Sequence, residues 1–223
     1  MNELFEKNLA ILSQEDAERL KGKRVLVAGC GGLGNAVTEL LARSGVGCLL
    51  LSDGDVFEPS NTNRQLYCTR DALGKSKAAV SAARVKAINP AIEVRASDTP
   101  ITPDNAAERV RGCDLVIDAL DSVSARLLLE DVCAAEGVVL VHGAVNGWTL
   151  QTGVCPPGSG MLHRLYRARE AEKGSGGVAV TVFACAAFQV SEAIKLLLGR
   201  ETRLMGNIML FDLYDHDLCM IPI

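Results

Sequence analysis

Short apolar runs rich in branched residues alternate with stretches of helical period along most of this chain. The first run, Arg24-Val25-Leu26-Val27-Ala28, ends in Gly29-Cys30-Gly31-Gly32-Leu33-Gly34, and apolar residues recur at helical spacing from Asn35 to Arg43. This predicts strand, glycine turn, helix. The unit recurs with strands at 47–52, 92–96, 114–118 and 138–142. Between them lie helices at 75–88, stopped by Asn89-Pro90, at 103–111, opened by Thr102 as cap and Pro103 at its first position, and at 124–136. Strands separated by helices pair in parallel and are covered on both faces.

Upstream, residues 3–20 carry apolar positions at helical spacing with a second start at Ser13, so two short helices precede the first strand. Beyond His142 the winding ends. Residues 148–155 alternate as a strand does, Pro156-Pro157-Gly158 breaks it, and the basic, polar 161–172 reads as a loop with a short helix. The glycine-rich stretch 173–177 then leads to a long buried helix at 178–198. Two closing strands, 208–213 and 218–221, flank Tyr214-Asp215-His216-Asp217. The expected fold is α/β: a Rossmann-like, doubly wound, mostly parallel sheet with helices on both faces and antiparallel C-terminal strands.

Composition narrows the function classes. At 223 residues and 48% hydrophobic the chain supports one substantial core, and a net charge of −4 supplies no overall attraction to nucleic acid or an anionic membrane. The apolar stretch 176–199 is interrupted by Thr181, Gln189, Ser191, Glu192 and Lys195, which a bilayer core would penalise. No membrane partner is expected, and nucleic acid is not expected either. Met1 to Lys7 mixes apolar and charged residues and does not read as a secretion signal. The eight cysteines stand at least 18 residues apart, so no Cys-x-x-Cys pair exists. A reducing cytoplasm is the expected compartment.

Gly29, Gly31 and Gly34 form G-x-G-x-x-G between a strand and a helix, a spacing that brings backbone N–H groups and a helix N-terminus up to phosphate oxygens. Asp53 ends the second strand 19 residues after Gly34, where a carboxylate accepts ribose hydroxyl hydrogen bonds. Up to this point an NAD-dependent oxidoreductase is equally open.

The segment from Asp53 to Gln65, Asp-Gly-Asp-Val-Phe-Glu-Pro-Ser-Asn-Thr-Asn-Arg-Gln, separates the two. Together with Gly29 to Gly34, Gly74-Lys75-Ser76-Lys77, and Asp118-Ala119-Leu120-Asp121-Ser122 followed by Arg126, it resembles the ThiF/MoeB/HesA family of ubiquitin-activating-like adenylyltransferases. That family carries these four motifs in this order. The resemblance implies one ThiF-type adenylation domain over 1–223: N-terminal helices at 1–22, a nucleotide-binding core at 23–143, and a crossover loop, long helix and closing strands at 144–223.

The implied reaction is ATP-dependent adenylation of the C-terminal glycine carboxylate of a small ubiquitin-like sulfur carrier ending in Gly-Gly, with release of pyrophosphate. It would serve thiamine or molybdopterin (or tungstopterin) synthesis, and relatives act as homodimers. Joining two anions requires cations and a metal anchor. By resemblance Arg64 and Lys77 contact the triphosphate, Asp53 holds the ribose, Asp121 organises Mg²⁺, and Asn61 bonds phosphate or ribose. Gly29, Gly31, Gly32, Gly34, Asp55 and Gln65 complete the expected ATP site, and Lys75 is a further candidate. Alternatives are carboxylate activation like that of tRNA threonylcarbamoyladenosine dehydratases, for which Arg164, Arg167 and Arg169 are the local hint, and a non-catalytic nucleotide-binding scaffold.

The chain also departs from the family pattern. Where many members carry an Arg-Gln pair that reaches the neighbouring subunit's ATP site, this chain offers Lys7, a cation without a bidentate fork. Thr62 and Ser122 replace the usual Leu and Asn. The zinc-binding cysteine pairs are missing, so no zinc is expected. Residues 156–177 hold no cysteine, and Cys155 and Cys185 read as structural. His142 is expected to be packed or to orient substrate, with no base required, because a carboxylate is ionised at neutral pH. Trp148 is expected to fill the core in preference to lining a groove.

Overall fold

Val25 and Val27 lie on one face of their strand and Leu26 and Ala28 on the other, and all four are buried. A strand apolar on both faces needs cover on both, which sets the architecture. The computed structural model describes residues 3–167 and 176–223, with side chains from Lys7 onward. A 3₁₀ helix (Glu3–Ala10) and α1 (Gln14–Lys21) precede β1 (Arg24–Ala28), α2 (Gly32–Ser44) and β2 (Cys48–Ser52). Then come α3 (Lys77–Ile88), β3 (Glu93–Ser97), α4 (Ala106–Val110), β4 (Leu115–Asp118), α5 (Val123–Glu136) and β5 (Leu140–Asn146). The chain closes with β6 (Thr149–Cys155), α6 (Met161–Leu165), α7 (Ala179–Leu197), β7 (Asn207–Asp212) and β8 (Leu218–Pro222).

The eight strands form one sheet in the order β3-β2-β1-β4-β5-β6-β7-β8, parallel through β5 and antiparallel from there on. On one face α2, α3 and α7 bury Ala36, Val37, Leu41, Ala78, Val85, Val182, Cys185, Ala186 and Val190. On the other, α4, α5 and α6 bury Ala106, Val110, Leu129, Cys133, Met161 and Leu162. By length and composition α7 could cross a bilayer, yet half of its apolar window is buried within the fold, and Thr181, Gln189 and Glu192 are buried along it.

Among the boundaries that differ from those the sequence predicts, three have a definite physical cause. Lys75 is not helical: it lies in a bend and its carbonyl accepts Phe57 N–H, and α3 starts after Ser76, whose hydroxyl caps Ala79 N–H. The helix expected at 103–111 shortens to Ala106–Val110, because Asn105 Oδ1 accepts from Thr102 N–H and spends the first residues on a turn. The strand expected to end at His142 runs to Asn146, extended by its hairpin pairing with β6. Of the segment 161–177, Met161–Leu165 is helical as expected, and the predicted loop at 168–172 with most of the glycine stretch lies outside the described residues.

Candidate nucleotide site

The strand order reverses direction between β1 and β4, and in open α/β sheets ligands enter at such a switch point, outside the carboxyl ends of the strands. The glycine turn leaves β1 at that place. Gly29 has φ +97°, and a Cβ there would stand 2.5 Å from the Ala119 carbonyl oxygen. A Cβ on Gly34 would stand 1.9 Å from the Gly29 carbonyl oxygen, so the turn closes this tightly only with glycine at both positions. α2 begins at Gly32 with Gly31 as its N-cap and no side chain capping it. The N–H groups of Gly31 and Gly32 therefore stay available to an anion, with the helix dipole behind them.

Asp53 sits at the end of β2 beside that turn. Its Oδ2 accepts Cys30 N–H at 2.6 Å and its Oδ1 accepts Asp55 N–H at 2.8 Å, so one carboxylate ties the glycine turn to the next loop. Each oxygen keeps a lone pair for a hydroxyl donor. Arg64 and Gln65 arrive over the turn from the far end of that loop. The Arg64 backbone lies 3.4 Å from where a Gly32 Cβ would sit, and Gln65 Nε2 lies 3.6 Å from that of Gly31. Gln65 is buried, and its Oε1 makes no hydrogen bond among the described residues. Arg64 donates to the Ser60 carbonyl and Asn63 Oδ1; it forms no ion pair with Asp53 or Asp55.

Lys77 is a buried lysine, with its ammonium 2.9 Å from Asp55 Oδ2. Asp55 therefore acts as the lysine's partner in this structure. Asn61 is likewise occupied, its Oδ1 accepting Glu58 N–H to close the 58–61 turn. Lys75 is exposed. Asp121 is exposed at the end of the Asp118 turn, and Ser122 does the capping of α5, leaving the Asp121 carboxylate free of that task. Among the described residues no group of three His, Cys, Asp or Glu side chains could hold a metal. A lone exposed carboxylate suits Mg²⁺, which keeps waters and shares substrate phosphate oxygens.

The Asp118 turn rests on a buried polar network. Asp118 Oδ1 accepts Leu120 N–H at 3.0 Å, and its Oδ2 lies 2.6 Å from His142 Nδ1 and 3.5 Å from Arg126 Nε. Arg126 also donates to the Leu120 carbonyl and the Tyr166 hydroxyl, and Gln151 Nε2 approaches both that hydroxyl and His142 Nε2. Burial pushes the His142 pKa down despite Asp118, so a neutral ring that donates from Nδ1 fits, while Arg126 balances the carboxylate charge. His142 is thus the packed histidine that its strand position suggested.

The sequence reading missed a second buried group. Glu39 on α2 accepts from Arg84 of α3, from Arg43 and from the Tyr67 hydroxyl of the loop. Burial opposes its charge, but these donors outweigh it and hold the carboxyl at about 2. Tyr67 also takes part in the contacts of Asn35, a fully buried amide on the first turns of α2. A polar residue directly after the last glycine of the turn was the only available signal for Asn35.

Cys155 and Cys185 are buried; burial pushes the Cys185 thiol up to about 12 and raises Cys155 well above its ordinary value. Trp148 departs from its core-filling expectation: it is exposed at the β5–β6 turn, its ring 5.9 Å from Tyr214. Lys7 is exposed in the 3₁₀ helix. Arg164 donates to the Ser159 and Ile223 carbonyls, and Arg169 lies outside the described residues.

The glycine turn, the Asp53 carboxylate beside it and their place at the switch point together define a Rossmann-like protein with a candidate nucleotide site. Residues 5–223 match the ThiF family, and the chain belongs to it. A relative from Haloferax volcanii, a SAMP-activating enzyme E1, is 36% identical over 215 residues, covering 93% of this chain and 79% of its own. A sulfur carrier protein adenylyltransferase from Thermus thermophilus is 35% identical over 212 residues, with 89% and 78% covered. Among solved structures, Escherichia coli MccB with ATP superposes with a TM-score of 0.86 at 20% identity, over 100% of this chain and 71% of that one. The E. coli tRNA N6-threonylcarbamoyladenosine dehydratase TcdA reaches 0.75 at 29% identity, over 88% and 94%.

Proposed function

We propose that this chain is a single ThiF-type domain that uses MgATP to adenylate the C-terminal glycine carboxylate of a small ubiquitin-like sulfur carrier ending in Gly-Gly. The observation that carries it is the convergence, at one sheet switch point, of the uncapped α2 N-terminus, the Arg64-Gln65 segment and the Asp118–Asp121 turn. Sulfur-carrier and SAMP-activating relatives support the choice of substrate. A thiamine, molybdopterin or tungstopterin pathway follows from that substrate. The Gly31 and Gly32 N–H groups would hold phosphate oxygens, Asp53 the ribose, and Gln65 the edge of the site. Arg64 and Lys77 would neutralise the triphosphate, which requires the lysine to exchange Asp55 for phosphate. Mg²⁺ held at Asp121 would offset charge as the carrier carboxylate approaches the α-phosphorus. The carboxylate attacks unaided, pyrophosphate leaves, and no protein thiol or base takes part.

Eight free cysteines, without a disulfide, support a reducing cytoplasm. A homodimer, with Lys7 offering its charge across the interface, is the assembly we infer. The likeness to TcdA favours a second reading, in which the carboxylate sits on tRNA.

Carrier-dependent ATP–pyrophosphate exchange tests the proposal. Asp121→Ala and Arg64→Ala should each lower exchange by about a hundredfold or more with the fold intact by circular dichroism. Near wild-type exchange in either variant at saturating Mg²⁺ would overturn the site, and exchange driven by tRNA but not by the carrier would establish the second reading.

A further inference from the structure

Cys30 and Gly31 contribute consecutive carbonyls in the glycine turn, and both are held by one residue. Asn35 N–H donates to the Gly31 carbonyl at 2.9 Å, and its side-chain Nδ2 donates to the Cys30 carbonyl at 2.9 Å. In a trans peptide the N–H points opposite to the C=O. Turning these two carbonyls toward the helix therefore turns the N–H groups of Gly31 and Gly32 away from it, and neither has an acceptor among the described residues. The same carboxamide reaches two further elements. Nδ2 lies 3.1 Å from Ser81 Oγ of α3, and that hydroxyl donates to the Lys77 carbonyl at 2.8 Å. Oδ1 accepts Tyr67 N–H at 3.3 Å, two residues beyond Gln65. Asn35 and Ser81 are 0% exposed, so water cannot replace any of these bonds.

We propose that Asn35 is a positioning residue of the nucleotide site: its carboxamide fixes the glycine turn, the Arg64-Gln65 segment and the Lys77 end of α3 in one mutual arrangement. This rests on the nucleotide reading above and adds the residue through which its three cationic and N–H walls keep register. Asn35 touches no phosphate itself. Its effect is on where the groups that do so stand, and placement errors of about 1 Å are costly in such sites.

Calorimetric titration of MgATP into the full-length protein decides the matter. Wild type should bind MgATP and bind NAD far more weakly; failure there would overturn the nucleotide reading, and with it this proposal, before any variant is considered. Asn35→Ala should weaken MgATP binding about tenfold or more, and Ser81→Ala, which cuts a single arm, about threefold. Val37→Ala opens a cavity in the same helix and should lower the melting temperature while leaving MgATP affinity within about twofold of wild type. If Asn35→Ala does not fold, Ser81→Ala carries the test. Wild-type affinity in a folded Asn35→Ala, or in Ser81→Ala when Asn35→Ala does not fold, would overturn the assignment. So would an equal loss of affinity in Val37→Ala at a matched loss of melting temperature, since it would reduce Asn35 to general stability.

Discussion

At the scale of single residues, the partners and burial of each side chain set what it has free for chemistry. Asp121 is exposed and unburdened, whereas Asn61 spends its oxygen on a turn and Cys155 and Cys185 lie where thiolates do not form. The double variant Cys155→Ser, Cys185→Ser should make acyl-adenylate at a rate close to wild type. The cost belongs to stability, roughly 1 kcal/mol at position 185, where the Ala144 and Gln151 carbonyls can still accept from a hydroxyl. Trapping a carrier thioester on either cysteine by non-reducing electrophoresis would contradict the assignment. Motif spacing made the placement of the glycine turn, Asp53 and the Arg64-Gln65 pair legible, because it depends only on position in the turn after β1 and the loop after β2. The pairing of Lys77 with Asp55 was not legible, since it spans 22 residues and depends on how a loop folds back.

At the scale of elements, α2 binds α3 and the long loop through charge as well as apolar packing. Glu39 is the hub of that connection, and its stabilisation has a definite pH sign. A carboxyl held near 2 when folded and at about 4.3 when unfolded is ionised in the folded state across that interval, contributing roughly 3 kcal/mol that is complete above about pH 5 and fades as pH falls toward 2. Glu39→Gln should therefore melt lower than wild type at pH 7, with the gap narrowing below about pH 5. A gap independent of pH down to 3 would contradict the Arg84 and Arg43 pairing as its source. Periodicity located every element of the sheet, yet missed the late start of α3 and the extension of β5. The first is fixed by the Phe57–Lys75 bond and the second by pairing with β6, both long-range facts that a local pattern does not carry.

At the scale of the whole molecule, the neighbouring strands β1, β2 and β4 bring three separated stretches of sequence together at their carboxyl ends, and the family relationship points to a reaction there. The parallel pairing of the first five strands was legible from alternation alone, because strands joined through helices pair in parallel, whereas their order was not. The assembly of the polar network around Asp118 was not, since His142, Gln151 and Tyr166 come from elements whose closeness only the folded sheet establishes. The most direct measurement of the central claim is transfer of label from ATP labelled at the α-phosphate to a purified sulfur carrier ending in Gly-Gly from the same organism, followed by mass spectrometry. The account predicts a Mg²⁺-dependent acyl-adenylate on the final glycine, formed with pyrophosphate and absent when the carrier lacks its Gly-Gly end. Label carried equally by the truncated carrier, or no adenylate from a protein that binds MgATP, would contradict it.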